Sequence, residues 1–240
     1  MAQGRFLLEL LSACAVGLSA ALPCSQNHVF VDLGANDGQS LTWFARHWVP
    51  RAVSKFTSVV AFEMNPVFAP VLQTLLKPWG GELVAAAAWT SDGSMAATLQ
   101  QPGSRTAVKG GVMYNMTSSA LEVGGVPLNK HAGDSRRRGA HAARTSVPTI
   151  DLSRWLSERY CAADTVDVKM DIEGAEFEVL EHLIRTGAAA RVDTLAIEWH
   201  THKRGRGGLR MALQERQRRI EQALGRMGVK LIKWGDARAQ

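Results

Sequence analysis

Six short apolar runs, each closed by turn residues and separated by stretches of helical period, constrain this 240-residue chain more than any other feature. They are VFVDL at 29–33, SVVAFE at 58–63, ELVAAAA at 82–88, TVDVKMD at 165–171, TLAIEW at 194–199 and VKLIKW at 229–234. Most are rich in β-branched residues and all are too short for a buried helix, so they read as strands covered on both faces. Between them the helical spacing is carried by Leu41, Phe44, Ala45 and Trp48, by Val71, Leu72, Leu75 and Leu76, by Phe177, Leu180 and Ile184, and by Leu209, Leu213, Ile220, Leu224 and Met227. Alternation of this kind predicts an α/β fold with a Rossmann-like, doubly wound, mostly parallel sheet and helices on both faces.

The length suits one such domain, placed at 25–236. Asn65-Pro66 suits a cap and first-turn pair, with Pro70 moving the start of the regular helix towards itself, and Gly187 suits a helix end. Residues 90–148 break the alternation with glycine, serine, proline and arginine. Only MAATLQ and TSVPTI within this stretch carry weak strand signals, so it reads as a long, partly mobile insertion.

The N-terminus holds one arginine followed by FLLELLSACAVGLSAAL and Pro23, the layout of a secretory leader over residues 1–24. Glu9 inside the apolar stretch favours instead an amphipathic helix with Phe6, Leu7, Leu10, Leu11 and Cys14 on one face. The secretory pathway is slightly favoured over the cytoplasm, because Asn115-Met116-Thr117 is an N-glycosylation acceptor and removal of a leader leaves only Cys24 and Cys161. A bridge between those two does not follow from their spacing. The net charge of +6 is concentrated in arginine clusters such as 136–138 and HKRGRGG at 202–208 with no zinc-finger, RNP or basic heptad pattern beside them, so it does not demand nucleic acid.

The polar exceptions fall at the carboxyl ends of the predicted strands, where open parallel sheets bind ligands. Asp32 and the loop Gly34-Ala35-Asn36-Asp37-Gly38 follow the first strand, and Glu63 ends the second. Asp92 follows the third, Asp171 and Glu173 end the fourth, and Glu198 and His200 end the fifth. Gly34 and Gly38 permit a tight turn and close approach of backbone to a ligand. Glu63 is suited to accept two hydrogen bonds from a ribose diol. A dinucleotide loop needs a glycine where Asn36 stands, and Asp37 would oppose a pyrophosphate, so a nucleoside cofactor bearing an ammonium and a sulfonium, S-adenosylmethionine, fits better.

VFVDLGANDGQS, FEMNP, AAAAWTSDG and VDVKMDIEGAEFEVL followed by IEWH, in that order across residues 28–200, resemble the FkbM family of S-adenosylmethionine-dependent methyltransferases. The resemblance implies a class I methyltransferase sheet, here with its last strand missing or irregular after VKLIKWGDARAQ. It implies that Gly34, Ala35, Asn36 and Gly38 wrap the methionine part of the cofactor with Asp32 near its ammonium, and that Glu63 holds the ribose. Asp92 would lie near the adenine amino group and Asp171 beside the reacting methyl. Met64 stands where relatives often carry proline.

Methyl transfer to an alcohol requires alignment and removal of the hydroxyl proton. His200 is the leading general base because its ordinary pKa lies near neutrality, with Asp171 or Glu173 orienting or replacing it. Asp171, Glu198 and His200 offer metal-type donors, but spacing alone does not assign a metal, and none is expected. His202, Lys203, Arg204 and Arg206 read first as a solvated loop and second as a rim for an anionic acceptor. The expected reaction is O-methylation of a small molecule or glycan. The alternatives are an NAD(P)-dependent oxidoreductase on a similar sheet and a non-catalytic protein that keeps the fold.

Overall fold

The computed structural model describes residues 26–47, 58–100, 106–109, 112–115, 119–124, 126–128, 142–201 and 208–234. The N-terminal stretch 1–24 and the arginine clusters at 136–138 and 202–206 lie outside the described residues. Among those described, no helix is long and apolar enough to cross a membrane.

The main sheet has six strands: β1 His28–Leu33, β2 Ser58–Phe62, β3 Glu82–Val84, β11 Thr165–Met170, β12 Thr194–Ile197 and β13 Lys230–Lys233. Their order is β13-β12-β11-β1-β2-β3, and every pairing is parallel. Helix α1 spans Gln39–His47, α2 Ala69–Leu76, α3 Leu152–Arg159, α4 Glu176–Thr186 and α5 Gly208–Arg226.

Side chains alternate along each strand, which sorts the core into two layers. Phe30, Val59 and Ala61 face Leu41, Phe44, Leu72 and Leu76 of α1 and α2, whereas Val29, Val31, Leu33, Val60, Phe62, Val168 and Met170 face Leu152, Leu156, Phe177, Leu180 and Leu224 of α3, α4 and α5. The sheet is therefore doubly wound. Phe30 and Phe44 stack at 3.9 Å on the first side. From β1 the chain proceeds outward through β2 to β3, then returns to β11 on the other side of β1 and proceeds through β12 to β13. The order thus reverses between β1 and β11, the place where such sheets open a crevice.

The start of α2 follows its sequence signals. The Asn65 side chain accepts from the Val67 amide, a 3-10 turn occupies Pro66–Phe68, and regular helix begins at Ala69 beside Pro70.

Three expectations need correction. The run 82–88 is not one strand, because the chain turns after Val84 and resumes as β4, Ala87–Trp89, in a second sheet. The turn is closed by the Ala86 amide donating to the Val84 carbonyl at 2.9 Å, and small alanines sit in either strand without a change of pattern to mark the break.

The insertion is not a long loop: β5 Gly93–Gln100, β8 Ala120–Val123, β9 Val126–Pro127 and β10 Ala142–Asp151 join β4 in the order β4-β10-β5-β8-β9. β6 Thr106–Lys109 and β7 Val112–Asn115 pair with each other as a separate antiparallel hairpin. Helix α3 has no counterpart among the predicted periods, although Asp151, whose carboxylate accepts from the Ser153 and Arg154 amides, is a regular N-cap signal.

Cys161 is disulfide-bonded. Its partner lies outside the described residues.

Candidate active site

The crevice at the switch point is a cleft open to solvent. Its floor is Gly34, Phe62, Glu63 and Met64 from the ends of β1 and β2 and Asp171, Ile172, Glu173 and Ala175 from the end of β11. Ala86–Ala88 form one wall, and Ser119 and Leu121 of the second sheet another. The insertion therefore contributes directly to the cleft, and the Leu128 carbonyl beside β9 packs against Gly174 of the β11 loop.

Loop 34–38 turns through three left-handed residues, Gly34 at φ 79°, Asn36 at φ 52° and Gly38 at φ 84°. The amides of Gly34 and Ala35 both donate to the Phe62 carbonyl at 3.0 Å, and that of Asn36 donates to Glu63 Oε2 at 2.8 Å. Asparagine tolerates this backbone better than most side chains, which accounts for Asn36 where a dinucleotide loop has glycine. Of the predicted loop residues only Gly34 lines the cleft. Gly38 instead lets the chain pass α2, since a methyl group there would fall 2.2 Å from Leu75 Cδ1.

Glu63 is 9% exposed, and its second oxygen accepts from the Asn65 amide at 2.7 Å. Burial pushes this carboxyl up to about 7, against the Asn65 and Asn36 amides and Lys169, which hold it down. It is a buried acid at the lip of a cleft, braced by two backbone donors.

Asp32 is fully buried and does not reach the cleft surface. It accepts a hydrogen bond from Ser40 and pairs with Lys169 Nζ at 3.1 Å, an ammonium supplied by the chain itself. Asp92 is also displaced from its expected place. It lies in the turn before β5, half-exposed, and pairs with Arg154 at 2.8 Å rather than lining the cleft. The break after β3 is the cause, because it carries the chain into the second sheet and leaves Ala86–Ala88 at the wall.

Behind Asp171 and Glu173, His200 is completely buried. Its Nδ1 lies 2.7 Å from Glu176 Oε1, and its Nε2 lies 3.6 Å from Asp171, 3.5 Å from Glu173 and 3.8 Å from Glu198. Burial alone would lower its pKa, but the Glu176 hydrogen bond and charge, followed by Glu173 and Asp171, raise it to about 9. At neutral pH it is an imidazolium, so the expectation that it acts as the general base does not fit its surroundings. A buried cation orienting the two carboxylates that face the cleft does. Glu176 was not singled out by sequence reasoning; it also accepts from the Ile172 and Gly174 amides at 3.1 Å and fixes the turn that presents Glu173.

Donor atoms of Asp171, Glu198 and His200 lie within 4.8 Å of one another, close enough to share a cation. A proton held on His200 competes directly with any metal for the imidazole.

The stability that His200 contributes is complete below its ordinary pKa of 6.5 and is lost as pH rises to about 9, a span worth up to about 3 kcal/mol. The melting temperature of the wild type should therefore exceed that of His200→Gln by an amount that shrinks between pH 6.5 and 9. A constant difference over that window would show that the imidazolium is not what holds the carboxylates.

The family model described as methyltransferase FkbM domain matches residues 32–230. No curated protein matches the chain. A crystal structure of methyltransferase FkbM from Methylobacillus flagellatus KT is similar at 18% identity and a TM-score of 0.43, covering 84% of this chain and 39% of that one. The chain thus spans well under half the length of that protein.

Proposed function

We propose, from the premise that the chain belongs to the FkbM methyltransferase family, that it transfers the methyl group of S-adenosylmethionine to a hydroxyl of a small molecule or glycan. The observation that carries the reading is the charge of the cleft: among the described residues its ionisable lining groups are Glu63, Asp171 and Glu173, all acids. A cofactor that presents a sulfonium and an ammonium is attracted by such a lining, whereas a pyrophosphate is repelled. Glu63, at the tip of β2 and already braced by Asn36 and Asn65, is the residue that would hold a ribose diol. Asp171 and Glu173 would lie along the methionine portion and the acceptor side.

Bound S-adenosylmethionine supplies an activated methyl group. The protein's part is alignment, exclusion of water and receipt of one proton. Ser119 and Leu121 would limit water at one wall of the cleft. Asp171 or Glu173 would accept the hydroxyl proton, with the His200 imidazolium behind them keeping both carboxylates oriented.

Calorimetry with S-adenosylhomocysteine and with NADH tests the reading. The first should bind and the second should not. Binding of NADH instead would favour the oxidoreductase alternative, and binding of neither a protein that keeps only the fold. Labelled-methyl transfer into an extract then identifies the acceptor class, with label in an ether of a sugar or small molecule expected and label confined to nitrogen contradicting O-methylation.

A further inference from the structure

Lys169 sits near the carboxyl end of the buried strand β11, 2% exposed, and lies outside the cleft lining. A buried ammonium is costly unless it is paired and hydrogen-bonded, so its partners indicate what it is for. Nζ donates to the Gly34 carbonyl at 2.8 Å, pairs with Asp32 at 3.1 Å and lies 3.9 Å from Asp171. Burial would lower its pKa, yet Asp32 and then Asp171 hold it above the ordinary lysine value, so it stays charged. The parallel register places Asp32 directly opposite Lys169, which makes the pair a bolt between β1 and β11 at the point where the strand order reverses.

The Gly34 peptide is gripped from every side. Its amide donates to Phe62 at the end of β2, its carbonyl accepts from Lys169 of β11, and its Cα lies against the Asp171 carbonyl. The Asp171 amide in turn donates to the Leu33 carbonyl at 3.1 Å. Gly34 and Asp171 both line the cleft, so a group that fixes one against the other fixes the width of the floor.

We propose that Lys169 is a positioning residue for the cofactor: through the Gly34 carbonyl it locks the β1 loop to the β11 loop and keeps the cleft formed before any ligand arrives. The inference rests on the cofactor reading given above. Charge neutralisation of Asp32 alone is the merely structural role, and the two can be separated. Lys169→Met strands the Asp32 carboxylate without its ammonium and can fail to fold for that reason. Asp32→Asn/Lys169→Met removes both charges and keeps a polar partner for Ser40.

Wild type, Asp32→Asn and the double variant are compared by calorimetry with S-adenosylhomocysteine and by hydrogen exchange of peptides covering 33–40 and 58–62. A positioning role predicts that the double variant binds at least tenfold more weakly than Asp32→Asn. Its 33–40 peptide should exchange faster while 58–62 in β2 stays protected. Affinity and exchange within twofold of Asp32→Asn would overturn the proposal and leave Lys169 a counter-charge. Failure of the wild type to bind S-adenosylhomocysteine would overturn the cofactor reading and this proposal together, an outcome distinct from loss in the variant alone.

Discussion

Gly34→Ala should unfold far more readily than the wild type, by about 3–5 kcal/mol, and should lose measurable S-adenosylhomocysteine binding. Two effects add at this position. The backbone is at φ 79°, which costs a side chain roughly 1–2 kcal/mol. The added methyl carbon would also fall 2.0 Å from the Asp171 carbonyl oxygen and 3.0 Å from its carbon. Those are backbone atoms anchored by the Asp171 amide to Leu33, so neither loop can yield without opening the junction between β1 and β11. Gly80 is the control, since it has φ 59° with nothing within 4 Å of a new methyl group. Gly80→Ala should cost only about 1 kcal/mol. Urea unfolding of both variants at one temperature decides the matter, and equal losses would mean that the contact with Asp171 carries no weight.

Glu63→Ala should weaken S-adenosylhomocysteine binding by about 1.5–3 kcal/mol, roughly ten- to 150-fold. The loss has two sources, the missing acceptor for the diol and the lost Glu63 bonds to the amides of Asn36 and Asn65, which brace the loop.

The pH dependence separates this group from others in the cleft. The folded carboxyl titrates near 7 against an ordinary value of 4.5, so the folded state binds more protons than the unfolded state between those limits, and Glu63 lowers stability as pH rises from 4.5 to about 7. Two hydroxyl donors favour the ionised form, so binding should release a proton and wild-type affinity should fall below about pH 7. Glu63→Ala should lack that slope. A wild-type affinity that is flat from pH 5 to 8 would remove Glu63 from the diol site.

The six-stranded sheet was legible because buried parallel strands must be apolar on both faces, and runs such as VFVDL and TLAIEW have no other economical reading. The cleft was legible for the same reason: acids at strand tips stand out against apolar strands. What failed depends on tertiary neighbours. Asp32 and His200 looked available because sequence shows a residue's chemistry but not whether its partner is a ligand or another side chain. Asp32 is answered by Lys169, which lies 137 positions away, and His200 by Glu176 at the start of α4.

A signal for the first existed. A lysine inside TVDVKM and an aspartate inside VFVDL are each intolerable alone in a buried strand, and together they indicate that the two strands are neighbours. The second sheet was missed because its weakest signals, MAATLQ and TSVPTI, acquire their partners only when β5 and β10 pair.

That pairing sets a condition on how such a protein diversifies. In the antiparallel register Gln100 stands opposite Ala142, so the segment between them leaves and re-enters the fold at adjacent points. That segment carries β8 and β9 and, with them, Ser119 and Leu121 at the cleft and Leu128 against the Gly174 turn, so only its connections outside those strands can lengthen at the cost of closure entropy alone, about 0.6 kcal/mol for each doubling. One wall of the cleft and the turn that presents Glu173 are thus tied to the inserted sheet, and an insertion that spares β8 and β9 leaves the switch point and its acids in place.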